Sequence, residues 1–72
     1  MAEHPELVCR LKDYRQKAGL TQAQLAEQVF VSRKTVNTIE NGVFVPTTVL
    51  ALKLAHALDC RVEDLFSLRG RD

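Results

Sequence analysis

The chain has 72 residues, a length that provides for one domain and excludes a second hydrophobic core. With 46 % hydrophobic and 26 % charged residues it has the composition of a globular protein, and no apolar run approaches the roughly 18 residues of a membrane helix. The N-terminal residues have neither the basic start nor the apolar core of a signal peptide. We therefore expect a cytoplasmic protein that makes no membrane contact.

The net charge is only +1, but the charges are unevenly distributed. Residues 10–34 carry six basic side chains against two acidic ones, which gives this segment a net charge of +4. Residues 35–72 carry four basic and five acidic side chains, a net charge of −1. An anionic partner is therefore expected to bind the segment from residue 10 to residue 34.

Residues 1–5 are predicted to form a polar N-terminal arm ending at Pro5, a residue that suits the first turn of a helix. Helix 1 is then predicted from about Glu6 to Ala18, with Gly19 closing it. Its apolar side chains recur at helical spacing, so the expected core face comprises Leu7, Leu11, Tyr14 and Ala18.

The stretch from Thr21 to Gly42 is predicted to form two short helices joined by a tight turn. Thr21 followed three residues later by Gln24 is a capping-box pattern, so helix 2 is expected to run to about Val29. Ser32 is a second N-cap, and Gly42 can end helix 3 in the left-handed conformation.

Helix 3 has one apolar face and one hydrogen-bonding face. Val36 and Ile39 recur at helical spacing and are expected to be buried. The hydrogen-bonding face has two cations near the helix start and comprises Arg33, Lys34, Thr35, Asn37, Thr38 and Asn41. Such a face suits the major groove of DNA.

A family pattern is present in these two helices. Its residues are Gln22, Leu25 and Ala26 in helix 2, Val31-Ser32-Arg33 at the turn, Thr35-Val36-Asn37 in helix 3, and Ile39-Glu40-Asn41-Gly42 at its end. In these residues the chain resembles the helix-turn-helix repressors of the Xre/Cro type, which include the lambdoid phage repressors and compact regulators such as the cytolysin repressor. The resemblance implies an all-α fold, with a five-helix lambda-repressor-like DNA-binding domain at residues 6–66 and a C-terminal tail at residues 67–72.

The resemblance also implies which residues contact double-stranded DNA. The base-reading residues would be Arg33, Lys34, Asn37 and Thr38, with Arg33 or Lys34 on guanine and Asn37 on adenine. The phosphate-binding residues would be Thr21, Gln22, Ser32 and Asn41, with Arg15 as a further contact. The alternative is that these are exposed polar side chains, and for Thr21 and Ser32 capping alone explains the hydroxyl.

Arg15 and Glu40 are implied to form an ion pair that locks helix 1 to helix 3. The alternative for Arg15 is a solvated cation on helix 1. Phe30 departs from the family, which most often has Gly there because the turn needs a positive φ. An aromatic residue at this position is expected to cost about 1 kcal/mol or more.

Pro46 and Thr47 are predicted to begin helix 4, and helix 5 is predicted over about residues 62–66. The inward stripe of helix 4 comprises Ala51, Leu54, Ala55 and Leu58. More apolar residues remain than this stripe requires, and the family dimerises through this half. The predicted dimer interface is therefore Val49, Leu50, Leu52 and Phe66, the alternative being that so small a domain leaves some leucines exposed.

Cys9 and Cys60 lie far apart, and neither belongs to a CxxC pair. Together with His4 and His56 they show no zinc-ligand spacing, so we predict no metal site and no cofactor. Cys60 is expected to be a small core residue. A redox role for Cys9 is left open.

The function expected from these features is sequence-specific transcriptional regulation, by repression, from a near-palindromic operator bound by a homodimer. The alternative is an antitoxin, which would bind a toxin partner through the apolar surface around Phe44 and Leu50 and repress its own operon. A coactivator module that hardly contacts DNA fits the basic helix 3 less well. We do not expect an enzyme, because the chain shows no nucleophile with a base, no paired carboxylates and no phosphate-binding glycine loop.

Overall fold

The computed structural model describes residues 6–70 of the chain. These residues form five helices, α1 (Leu11–Lys17), α2 (Gln22–Gln28), α3 (Arg33–Glu40), α4 (Thr48–Ala57) and α5 (Val62–Leu65), and two short strands, β1 (Leu7–Cys9) and β2 (Phe66–Leu68). The predicted five-helix fold is confirmed, and the strands are an addition to it. The predicted arm at residues 1–5 lies outside the described residues. Within residues 6–70 no helix has the length and apolar character needed to cross a membrane.

Hydroxyl side chains set the starts of the three central helices. Thr21 Oγ1 accepts from the backbone N–H of Gln24 at 3.1 Å, and Gln24 Oε1 accepts from the N–H of Thr21 at 2.8 Å. Ser32 Oγ accepts from the N–H of Thr35 at 3.1 Å, and Thr47 caps α4 in the same manner. These caps satisfy backbone donors that the first helical turn leaves unpaired, so the predicted starts of α2, α3 and α4 are confirmed.

The core fixes the orientation of α3. Val36 is fully buried and Ile39 is 1 % exposed, so one face of α3 packs against the neighbouring helices. Burying side chains of this size stabilises the fold by about 1.5–3 kcal/mol each. Rotating α3 about its axis would expose both, and its opposite face is therefore held toward solvent. The buried residues that pack with them are Leu11, Leu25, Ala26, Val29, Leu54, Ala55, Leu58 and Leu65.

The N-terminal part of the predicted helix 1 is a strand. β1 pairs antiparallel with β2, and the register places Leu7 opposite Leu68 and Cys9 opposite Phe66. Because Ser67 and Leu68 belong to this sheet, the tail predicted to start at residue 67 is corrected. The helical spacing of apolar residues extends back to Leu7 in the sequence. In the structure, however, the backbone N–H and C=O groups of residues 7–9 pair with the strand β2 instead of with a helical turn. Ala18, predicted to face the core, is exposed just beyond α1.

Within residues 6–70, two residues other than glycine have a positive φ, Phe30 at 61° and Asp59 at 54°. Both directly follow the end of a helix, where the left-handed conformation is common. Asp tolerates this conformation better than most residues do, whereas a bulky side chain is strained in it. The Phe30 side chain is 86 % exposed, so packing does little to offset the strain. The predicted positive φ at Phe30 is confirmed.

We expect a Phe30→Gly variant to be more stable than a Phe30→Ala variant by about 1 kcal/mol, because only glycine relieves the steric strain at positive φ. Both variants lose the same ring and its contact with the Lys53 ammonium, 5.9 Å from the ring centroid. Urea unfolding of the two variants measures the difference. Equal stabilities would show that position 30 carries no strain.

Candidate nucleic-acid interface

The exposed face of α3 presents three of the four predicted base-reading residues together. Arg33, Lys34 and Asn37 are exposed and line one polar recess. Thr38 is half-buried, and its hydroxyl donates to the carbonyl oxygen of Thr35 at 3.0 Å. Arg33, Lys34 and Asn37 therefore lie together on the exposed face of α3. Thr38 lies at the edge of this face, and its hydroxyl proton is used in a bond within the helix.

Arg15 and Glu40 form a buried ion pair between α1 and α3. Arg15 Nε donates to Glu40 Oε2 at 2.6 Å, and Arg15 Nη2 donates to Glu40 Oε1 at 3.2 Å. Arg15 Nη1 donates to the carbonyl oxygen of Leu20 at 2.9 Å. The two side chains are only 10 % and 3 % exposed. Arg15 is thus committed to the interior of the domain, which corrects its assignment as a phosphate contact.

Gln22 joins this ion pair to the exposed face of α3. Its Nε2 donates to Glu40 Oε1 at 2.9 Å and to Asn37 Oδ1 at 3.1 Å. Both amide protons are therefore used within residues 6–70, and the assignment of Gln22 as a phosphate contact stays a prediction. Asn41 Nδ2 makes a longer bond to Asn37 Oδ1, at 3.4 Å.

The bonds of Gln22 to Asn37 and Glu40 were not predicted from the sequence, although the sequence contained one indication of them. Asn37 and Glu40 lie three residues apart and therefore share one face of α3. Gln22 stands in the first turn of α2, which crosses that face. The crossing geometry, which is a property of the folded domain, brings the three side chains together.

Three predicted phosphate-binding residues remain at the surface. Thr21, Ser32 and Asn41 are exposed. The hydroxyl oxygens of Thr21 and Ser32 also cap helices, in agreement with the capping explanation. The hydroxyl proton of Thr21 has no partner among the described residues. Asn41 uses one amide N–H toward Asn37 and has a second one free of any partner in residues 6–70.

The four residues predicted for the dimer interface differ in exposure. Val49 is 62 % exposed and Leu52 is 56 % exposed on α4. Leu50 and Phe66 are partly buried against the core. Leu52 and Phe66 line the same apolar groove, which runs between α4, α5 and the strands. On α4, the exposed apolar surface is therefore centred on Val49 and Leu52.

Both cysteines are partly buried thiols. Burial raises the pKa of the Cys9 thiol, and it also raises the pKa of Cys60. A raised pKa keeps a thiol protonated and unreactive near neutral pH, so the site gives no support to a redox role for Cys9. Among residues 6–70, no group of three or more His, Cys, Asp or Glu side chains is arranged to hold a metal ion.

Two capped helices joined by a tight turn, the second with a buried apolar face and an exposed polar one, define a helix-turn-helix DNA-binding domain of a transcriptional regulator. The model of the helix-turn-helix family HTH_3 matches residues 11–65. The chain belongs to this family, and the resemblance inferred from the sequence is confirmed.

Known proteins similar to this chain are regulators. An uncharacterised HTH-type transcriptional regulator of Archaeoglobus fulgidus is 42 % identical over 57 residues, covering 79 % of this chain and 81 % of that protein. The restriction-modification controller protein C.AhdI of Aeromonas hydrophila has a TM-score of 0.73 and 36 % identity, covering 76 % of this chain and 83 % of that chain.

Two structures of complexes that contain SinR of Bacillus subtilis, a master regulator for biofilm formation, are similar to this chain. Its structure with DNA has a TM-score of 0.70 and 29 % identity, covering 75 % of this chain and 87 % of that chain. Its complex with the SinI protein has a TM-score of 0.71 and 28 % identity over 76 % of this chain. There the chain spans only 54 % of the length of the matched chain.

Proposed function

We propose that this protein is a transcriptional repressor that acts in the cytoplasm and binds a near-palindromic operator on double-stranded DNA as a homodimer. The observation that carries the proposal is the two-sided α3, which buries Val36 and Ile39 and exposes Arg33, Lys34 and Asn37. Similarity to the DNA-bound regulator SinR supports the choice of DNA as the partner. Catalysis forms no part of the proposed function.

In this proposal the N-terminal half of α3 enters the major groove. Arg33 and Lys34 stand in its first turn, where side chains reach base edges, and either can donate to the O6 and N7 of guanine. Thr21, Ser32 and Asn41 flank this face and would donate to phosphates. The net charge of +4 on residues 10–34 attracts the DNA backbone and makes the affinity fall with rising salt.

The homodimer follows from the size of the interface. One α3 of eight residues covers only a few base pairs, too few to distinguish one operator from the competing sites of a genome. Two copies related by a twofold axis would place their α3 helices about 34 Å apart, in successive major grooves. The apolar surface centred on Val49 and Leu52, bordered by Leu50 and Phe66, would join the copies.

An antitoxin-type role is the second candidate. Three consecutive apolar residues after α3, Val43, Phe44 and Val45, are 53 %, 44 % and 47 % exposed. An exposed apolar segment of this kind is suited to a protein partner. The complex of SinR with SinI is an example of a similar regulator that binds a protein. Copurification of a second protein that is lost on Phe44→Asp substitution would favour this role.

Arg33→Ala is the test of specific DNA binding. We expect the variant to lose about 1–3 kcal/mol of discrimination at one base pair, because it removes a side chain able to bind guanine at two atoms. Selection of sites from a random duplex pool, followed by binding titrations at about 0.15 M salt, measures base preference position by position.

Arg61→Ala is the matched control, since Arg61 is an exposed arginine outside α3 whose ion-pair partner among residues 6–70 is the exposed Glu63. It is expected to keep the base preferences at every position. Equal binding of random and selected duplexes by the wild-type protein would contradict the proposed function. Equal effects of the two substitutions would contradict the role of Arg33.

A further inference from the structure

We propose that Asn37 contacts DNA as a hydrogen-bond donor only and selects guanine, because Gln22 and Asn41 occupy its acceptor oxygen. The inference rests on the proposed entry of α3 into the major groove. It differs from the adenine contact expected from the sequence, and it makes Gln22 a positioning residue for base selection.

The direction is set by the ion pair. Arg15 has only donors, and the Glu40 carboxylate that receives two of them has only acceptors. The Gln22 group that meets Glu40 Oε1 at 2.9 Å is therefore its amide nitrogen. Turning this amide over would place the Gln22 carbonyl oxygen against a carboxylate, with no proton between them. The buried pair thus fixes which end of the Gln22 amide faces α3.

Gln22 in turn fixes Asn37. The second N–H of the Gln22 amide is 3.1 Å from Asn37, so the atom of Asn37 that meets it is the oxygen Oδ1. Asn41 Nδ2 approaches the same oxygen at 3.4 Å. Turning the Asn37 amide over would bring its nitrogen against the Gln22 amide nitrogen, which replaces an attractive contact with a repulsive one.

The atom left for DNA is the Asn37 amide nitrogen. Asn37 is exposed beside Arg33 and Lys34, and no acceptor among residues 6–70 is bonded to its Nδ2. An asparagine that binds adenine uses its oxygen for the N6 amino group and its nitrogen for N7. Gln22 and Asn41 engage the two lone pairs of this oxygen, so this arrangement is lost. Guanine presents acceptors at both N7 and O6, so it matches a side chain that can only donate.

The experiment compares base preferences of four variants in a random duplex pool. Asn37→Ala identifies the base pair that Asn37 contacts, since preference is lost there. At that pair the wild-type protein is expected to prefer guanine over adenine. Gln22→Leu, which frees one lone pair of Oδ1 and keeps the helix propensity of α2, is expected to change the guanine-to-adenine ratio toward adenine by about 5- to 150-fold. Gln28→Leu, an exposed glutamine at the end of α2, is the matched control and is expected to change nothing.

Asn37→Asp provides an independent test if Gln22→Leu does not fold, as judged by circular dichroism. Aspartate still accepts from Gln22 but has no donor, so preference at the pair is expected to move from guanine to cytosine, whose N4 is a donor. Wild-type preference for adenine at that pair, or an unchanged ratio in a folded Gln22→Leu variant, would overturn the inference. The proposed function fails separately, by absence of any selected site for the wild-type protein.

Discussion

Replacing Glu40 by alanine is expected to lower the free energy of unfolding by about 3–5 kcal/mol, because Arg15 would remain buried without a counter-charge. The Arg15 and Glu40 side chains are 10 % and 3 % exposed, so bulk solvent does little to screen the charge left behind. Gln22 would lose a partner as well. Since small domains are stable by only about 5–15 kcal/mol, this loss is a large share of the total stability. Urea denaturation followed by circular dichroism measures the change.

Glu63→Ala is the matched control for this prediction. Glu63 pairs with Arg61 at 3.6 Å, but both side chains are more than 70 % exposed, at 78 % for Arg61 and 74 % for Glu63. Removing this exposed pair is expected to change stability by less than about 1 kcal/mol. A double-mutant cycle with Arg15→Met isolates the coupling between Arg15 and Glu40. A coupling energy near zero would show that the pair does not join α1 to α3.

The Glu40→Ala variant is also expected to bind DNA less tightly at temperatures where it is folded. Glu40 stands in the last turn of α3, and through Arg15 it connects that turn to α1 and to the carbonyl oxygen of Leu20. Without this connection α3 is held by its apolar face and by the bond from Gln22 to Asn37. The angle at which its exposed residues meet the groove would then be less well fixed.

Much of the fold could be predicted from the sequence because its signals are local. The hydroxyl caps at Thr21, Ser32 and Thr47 act within four residues, and the buried positions of α3 and α4 follow from helical spacing. The positive φ at Phe30 was expected from the position of the turn in the family pattern. In each case the determining atoms lie within one or two helical turns of each other.

The features that could not be predicted depend on residues distant in the sequence. The pairing of Leu7 with Leu68 joins opposite ends of the described chain, and nothing local distinguishes residues 7–9 from the first turn of a helix. The bonds of Gln22 to Asn37 and Glu40 depend on the crossing of α2 over α3. For this reason Arg15 and Gln22 were assigned by type as DNA contacts, while in the structure both side chains bond to Glu40.

Disrupting the proposed dimer is expected to cause a large loss of operator affinity. Leu52→Asp is expected to produce a folded monomer whose operator affinity is lower by at least about 100-fold, the advantage that two linked half-site contacts give over one. Leu52 is 56 % exposed, so a charge there is solvated in the monomer but buried in the dimer. Leu50 is a less suitable position, because it packs against the core and aspartate there would unfold the domain. Sedimentation equilibrium and titration of a selected operator measure the two effects.

Val43→Asp is the control for the oligomeric state, since Val43 has a similar exposure of 53 % but lies in the loop after α3, outside the proposed interface. It is expected to remain dimeric. Wild-type protein that sediments as a monomer at tens of micromolar and binds one copy per operator would contradict the dimer. In that case a single α3 would have to supply all of the specificity. Each mismatched base pair costs only about 1–3 kcal/mol, so the few pairs within reach of one helix would leave many competing genomic sites bound.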